Sequence, residues 1–340
     1  MSAARITSIT KGPRQSNFEL LRLFAMFLVL VVHSDFWTLG RPTIADFSNQ
    51  PITSLIKVMI ESASVVCVNC FILISGWFGI RATLKGFCGF IFQCLYFIIG
   101  LYIIAIAIGR SSISVNGISE CLLLTPNSWF IHSYVILYII SPVLNLFLEK
   151  ADQKVITGVL IAFFIYQSSI GWLNASSSFM GGYSALSFCG LYTLAGYTRK
   201  YLNISKLNGG GLYMASIVIN TAIYYGITYF GIPVDAIAYL NPFIILGAIG
   251  LLLHFSKIKI NSNRFINWAA ASAFAVYLFH TETQIGVQIF KSSILTIFNN
   301  FNGILFIALI FLTLIAYFII AILLDQPRKF AWRLISDFFK

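Results

Sequence analysis

Charge is what this 340-residue sequence has least of: 10% of its residues are charged and 11 are Asp or Glu. A soluble domain carries about 25% charged residues, so a water-exposed surface of ordinary composition is excluded. Proline is also sparse, at 8 residues, and few helices can be interrupted by it. Six cysteines are present, and only Cys67-Val-Asn-Cys70 has the spacing of a metal or redox pair. No second pair accompanies it, and the motif lies inside an apolar run, so it reads as packing. No internal repeat is visible. The shortage of acid leaves a net charge of +11.

What is present is apolar. Hydrophobic residues make up 59% of the chain, with 32 Phe, 16 Tyr and 6 Trp, and the mean hydropathy is +0.87. About 20 mostly apolar residues are needed to span a bilayer as a helix. Ten such segments are expected, at Phe18–Leu39, Ser54–Phe78, Gly86–Gly109, Ser128–Leu148, Val155–Trp172, Tyr183–Thr198, Gly211–Phe230, Tyr239–Phe255, Ala269–Phe290 and Gly303–Leu324. The fold class is therefore all-α, a polytopic membrane protein of about ten transmembrane helices. The basic start and first apolar run resemble a signal peptide. Glu19 and Arg22 inside the run, and the lack of an Ala-x-Ala-like site after it, identify a retained helix instead.

The positive charges test that arrangement. With the N-terminus in the cytoplasm, 17 Lys and Arg fall on the cytoplasmic side, among them Arg5, Lys11, Arg14, Arg81, Lys85 and Lys340. The outer side holds 4, namely Arg41, Lys57, Arg110 and Lys291. That asymmetry puts both termini in the cytoplasm and supports an even helix count. It also accounts for the net charge without a nucleic-acid partner.

Ionisable groups inside a membrane are costly, and each is a candidate for function. Arg22 and His33 both lie in the first segment. Eleven residues at about 100° each bring them to one helix face, roughly 16 Å apart along the axis. A structural reading exists for each: Arg22 snorkelling beside Glu19, and His33 bonded to a carbonyl. Glu61 falls at the depth of His33 and is expected to orient it, as a carboxylate orients a catalytic imidazole; the competing reading pairs Glu61 with Lys57. Asp35 is a shallower candidate for the same role. His132 and His280 are candidates to line the same cavity, or to serve as polar groups in helix packing.

Several stretches carry a resemblance. Arg22 and His33 form an R-x10-H pattern in the first helix. Asn17-Phe18-Glu19-Leu20-Leu21-Arg22-Leu23-Phe24-Ala25 surrounds its arginine. Phe71-Ile72-Leu73-Ile74-Ser75-Gly76-Trp77-Phe78 is followed by Arg81. Trp129-Phe130 is followed by Tyr138, Ser141-Pro142 and Asn145. Ala273-Phe274-Ala275-Val276-Tyr277-Leu278-Phe279-His280 and Asp325-Gln326-Pro327 come late in the chain. Together these resemble the acyltransferase-3 family of integral membrane proteins, end to end.

The resemblance implies transfer of an acyl group, most often acetyl, from cytoplasmic acyl-CoA to a hydroxyl of a carbohydrate or lipid-linked surface glycan. It implies no metal, and a bacterial cytoplasmic membrane. Many relatives carry an extra hydrolase-like domain; this chain resembles the single-domain type, one domain over 1–340 with a tail at 1–16, a bundle at 17–325 and a tail at 326–340. His33 and Glu61 are the expected catalytic groups. Arg22, Arg81 and Lys85 are the expected cations for the phosphates of CoA. Asp35, Trp129, His132, Tyr138 and His280 are the expected cavity residues, with Ser75, Asn69, Trp129 or Tyr138 as stabilisers of an oxyanion. A transporter or flippase of glycan precursors is the competing class, though such proteins often show repeats and broken helices.

Overall fold

The computed structural model of the protein describes residues 14–339. Arg5, Lys11, Lys340 and most of the expected tail at 1–16 lie outside the described residues. Within them the chain is helical and contains no strand.

In chain order the helices are α1 (Ser16–Ser34), α2 (Phe36–Leu39), α3 (Ile44–Asn49), α4 (Pro51–Ser64), α5 (Cys67–Phe78), α6 (Leu84–Ala107), α7 (Val115–Cys121) and α8 (Trp129–Lys150). They continue as α9 (Gln153–Tyr166), α10 (Ala185–Tyr201), α11 (Gly209–Phe230), α12 (Pro242–Lys257), α13 (Arg264–Ala270), α14 (Ala273–Thr281), α15 (Gly286–Asn300) and α16 (Gly303–Ile335). Among the described residues, six helical runs are long and apolar enough to cross a membrane: Ser16–Leu39, Pro51–Phe78, Leu84–Ala107, Val115–Lys150, Gln153–Leu173 and Gly303–Phe338. The protein is thus an integral membrane protein. The segments expected at 183–198, 211–230 and 239–255 are helical too, as α10, α11 and α12.

Helix α1 is the axis of the bundle. It packs against α4, α5, α12, α13, α14 and α16. Leu21, Ala25 and Leu30 on it are fully buried. Lipid tails are as apolar as leucine, so such contacts are held by close packing and polar links rather than by escape from water. Gly76 illustrates the packing. A methyl group there would collide with the Tyr192 backbone, so only glycine lets α5 lie directly against α10. Polar links tie further helices. Asn241 Nδ2 donates to Asn220 Oδ1 at 2.7 Å, and Asn220 Nδ2 donates to Ser62 Oγ at 3.2 Å. This joins α12, α11 and α4.

The ninth expected segment, Ala269–Phe290, departs from expectation. It is not one helix but three pieces. The chain leaves helical form at Ala271–Ser272 and again over residues 282–285. At the second break the Glu282 carboxylate accepts from the backbone N–H groups of Gln284, Ile285 and Gly286 at 2.9, 2.9 and 3.0 Å. A helix start needs acceptors for its first N–H groups, and this side chain supplies them mid-bundle. Gly286 is required here, because a side chain would run into the Phe279 carbonyl.

Candidate active site

The stripe on α1 sets the site. Arg22, Met26, Val29 and His33 follow one another at steps of four, three and four residues, which is one face of a helix. All four line a single cavity of about 870 Å³, within the range of small-molecule sites. Toward Arg22 the walls are Phe71, Ser75, Phe90, Gln93 and Tyr134; toward His33 and beyond they are Trp37, Arg41, Glu61, Trp129, Tyr183, Tyr239 and Lys291. The two breaks described above also face this space, through Ala271 and Thr283. Irregular backbone at membrane depth is tolerated where it lines a cavity or is buried in protein.

His33 does not stand alone. Its Nδ1 lies 2.7 Å from Nε2 of His280, and Nδ1 of His280 lies 2.5 Å from the Val276 carbonyl oxygen. A carbonyl only accepts, so Nδ1 of His280 carries its proton. Nε2 of a neutral His280 is then an acceptor, and Nδ1–H of His33 donates to it. The remaining ring nitrogen of His33, Nε2, keeps its lone pair. The chain of hydrogen bonds therefore selects one tautomer, with a basic nitrogen left for the cavity. His280 is fully buried behind His33. Trp37 flanks the ring with centroids 4.6 Å apart, and Lys291 Nζ sits 4.1 Å from the Trp37 ring centre. Thr38 Oγ1 donates to the His33 carbonyl at 2.6 Å where α1 ends, which fixes the residue's backbone.

Arg22, at the other end of the stripe, is paired with Glu19 at 2.6 Å. The Arg22 side chain is one-third exposed, so this pair is worth little to stability. It holds the guanidinium at the cavity wall.

A family model described as an acyltransferase domain, that of the acyltransferase-3 family, matches residues 15–325. The chain belongs to the acyltransferase-3 family. Comparison with curated proteins and with solved structures gives no significant match. The protein is accordingly a membrane acyltransferase, and the cavity is its candidate active site.

Not every expected residue of this acyltransferase reaches the cavity. Glu61 lines it but is not the partner of His33; His280 holds that position. Nor does Glu61 pair with Lys57. The Lys57 ammonium donates to the carbonyls of Leu39 and Gly40 at 3.2 and 2.6 Å and stands 3.9 Å from Asp35. Asp35 is buried beside α1's last turn and is not part of the cavity wall. Trp129 does line it.

His132 faces away from the cavity. It is exposed, and its Nε2–H donates to the Leu123 carbonyl at 2.5 Å, tying down a turn in which Leu123 has φ 59°. The Tyr138 hydroxyl accepts from the Thr83 N–H at 2.9 Å and latches the turn between α5 and α6. Arg81 and Lys85 flank that same turn, outside the cavity lining. Of the groups considered for an oxyanion, Ser75 and Trp129 line the cavity. Asn69 instead donates its Nδ2 to the Tyr239 carbonyl at 2.8 Å.

The structure adds residues that sequence reasoning passed over. Trp37 is one turn beyond His33, so helical spacing alone points to it. Lys291 counted only toward topology, and its place over Trp37 depends on the fold of α15. Gln93 and Tyr239 carry no signal in the sequence.

Proposed function

We propose that this acyltransferase moves an acyl group, acetyl foremost, from cytoplasmic acyl-CoA to a hydroxyl of a carbohydrate or lipid-linked glycan. The setting is a bacterial cytoplasmic membrane crossed by about ten helices, with the N-terminal end of α1 on the cytoplasmic side. The observation that carries the reading is the continuity of one cavity from Arg22 to His33 and on to Trp129 and Tyr239. Arg22 stands at the end where the nucleotide phosphates of CoA belong, and cations favour them. The pantetheine arm is of the same order of length as the roughly 16 Å that separate the two residues along α1.

The step follows from the tautomer. As a general base, His33 Nε2 takes the proton of the acceptor hydroxyl while its oxygen attacks the thioester carbonyl. The C–O bond forms, the C–S bond breaks, and the proton passes to the departing CoA thiolate. In the covalent variant, Nε2 itself attacks the thioester carbonyl, the C–S bond breaks and CoA departs as thiolate; the acceptor oxygen then attacks the acyl-imidazole, the N–C bond breaks, and the hydroxyl proton passes to the thiolate. Rapid quenching followed by mass spectrometry of the His33 peptide separates the two.

The test is acyl transfer by the purified protein in lipid nanodiscs, with radiolabelled acetyl-CoA and surface glycans as acceptors. His33→Ala abolishes transfer, and Arg22→Ala weakens binding of CoA by tenfold or more. Wild-type rates in His33→Ala would sink the assignment.

A further inference from the structure

Glu61 is a buried carboxyl of the cavity wall with one oxygen left unpaired. It is 1% exposed, and its Oε2 is buried with no hydrogen-bond partner among the described residues. The neighbouring cations are engaged elsewhere. Lys57 is bound to the Leu39 and Gly40 carbonyls, and Arg41 forks onto Asp235 at 2.8 and 3.2 Å. A buried acceptor left unmade is costly, and Glu61 belongs to the cavity wall, so its carboxyl is a seat for a ligand's donor.

The surroundings say what kind of donor. Trp129, Tyr183 and Tyr239 line the same cavity as Glu61. The Trp129 and Tyr183 rings are 4.4 Å apart, Tyr183 and Tyr239 5.1 Å, and Trp129 and Tyr239 6.3 Å with planes 27° apart. Aromatic rings beside a hydrogen-bonding carboxyl suit a pyranose. Its C–H face lies on the rings while a hydroxyl donates to the oxygen. A simple alcohol offers the nucleophile but not the second donor.

We propose that Glu61 and the Trp129–Tyr183–Tyr239 fan form the acceptor subsite, in which the Glu61 carboxyl receives a hydrogen bond from a second sugar hydroxyl, distinct from the one acylated. Glu61 is thus a specificity residue for a glycoside, not a partner of His33. This rests on the acyl-transfer reading above, and the experiment separates the two.

Methyl glycosides of glucose, galactose and N-acetylglucosamine, with their monodeoxy analogues, are titrated by tryptophan fluorescence in nanodiscs without donor. The same panel is then used as acceptors with acetyl-CoA, and 2-propanol serves as the lone-alcohol control. In the wild type, one deoxy position weakens binding tenfold or more. Glu61→Leu loses the same factor toward the parent glycoside and nothing further toward that deoxy analogue. Glu61→Gln, which keeps a carbonyl oxygen, loses less than threefold. In transfer, the losses appear in KM rather than kcat, and 2-propanol is a poor acceptor for the wild type.

Should Glu61→Leu melt early, the deoxy series on wild type and Glu61→Gln carries the test. Uniform binding across the deoxy series, absence of binding by every glycoside, or wild-type affinity in a folded Glu61→Leu overturns the subsite even if transfer proceeds. Glu61-dependent glycoside binding with no consumption of acetyl-CoA overturns the transfer reading and leaves the subsite standing.

Discussion

Removing the imidazole behind His33 is the sharpest perturbation the structure offers. In His280→Leu, Nδ1–H of His33 loses the acceptor that stands 2.7 Å away, and the burial of His280 leaves no water to replace it. During transfer His33 gains a proton, so the lost hydrogen bond is one from a charged donor. Such bonds contribute about 1.5–3 kcal/mol. At about 1.4 kcal/mol per factor of ten, kcat falls roughly 10- to 150-fold. The loss of tautomer selection adds to this, because a ring with its proton on Nε2 has no lone pair for the cavity.

His280→Gln is the control. Its amide oxygen can accept from His33, and its amide nitrogen can donate to Val276. It recovers activity to within about tenfold of wild type, on the same hydrogen-bond scale. The assay is transfer of labelled acetyl groups by protein in nanodiscs, with melting curves to show that each variant is folded. A folded His280→Leu with kcat within about threefold of wild type, less than one hydrogen bond's worth, refutes the relay.

Three further outcomes follow from other parts of the molecule. Asp325 is fully buried and accepts from Arg328 at 2.7 and 2.9 Å; Asp325→Ala leaves a buried cation unpaired and costs about 3–5 kcal/mol, read as a fall in melting temperature. Gly286→Ala forces a methyl group against the Phe279 carbonyl and costs about 1–3 kcal/mol, with local unfolding at the α14–α15 break seen by hydrogen exchange. His132→Ala removes one exposed hydrogen bond outside the cavity wall, so transfer stays within about threefold of wild type and stability drops by about 1 kcal/mol. A large loss of kcat in His132→Ala would show that the residue reaches the reaction.

The residues on α1 were legible because a helix has a fixed period. Arg22, Met26, Val29 and His33 fall on one face whatever surrounds them, and the shared cavity follows from that face being turned inward. Glu61 shows where such reasoning stops. Depth below the membrane surface can be read from a hydropathy segment, but the direction of a side chain on a second helix depends on how that helix is rotated against the first. Depth matched Glu61 to His33, whereas rotation placed His280 there. His132 and Tyr138 fail for a related reason. Each has a nearby backbone partner, Leu123 or Thr83, in turns whose conformation is not periodic.

The broken ninth segment was hidden because apolar runs flank the polar stretch Thr281-Glu282-Thr283-Gln284 on both sides, so the whole reads as one span. The break is made by one carboxyl group, Glu282, accepting three N–H groups, and by a glycine pressed against a neighbouring carbonyl. A hydropathy average registers that carboxyl as one polar residue and does not show which backbone groups it binds.

By itself, then, the sequence determined that the chain lives in a bilayer, because so little charge cannot clothe a water-exposed surface. It determined also that Arg22 and His33 share a face, because 11 residues close on three turns. Only the tertiary structure decided which groups meet there. Contacts such as His33 with His280, 247 residues apart in the chain, depend on the rotation and tilt of whole helices, and packing sets those.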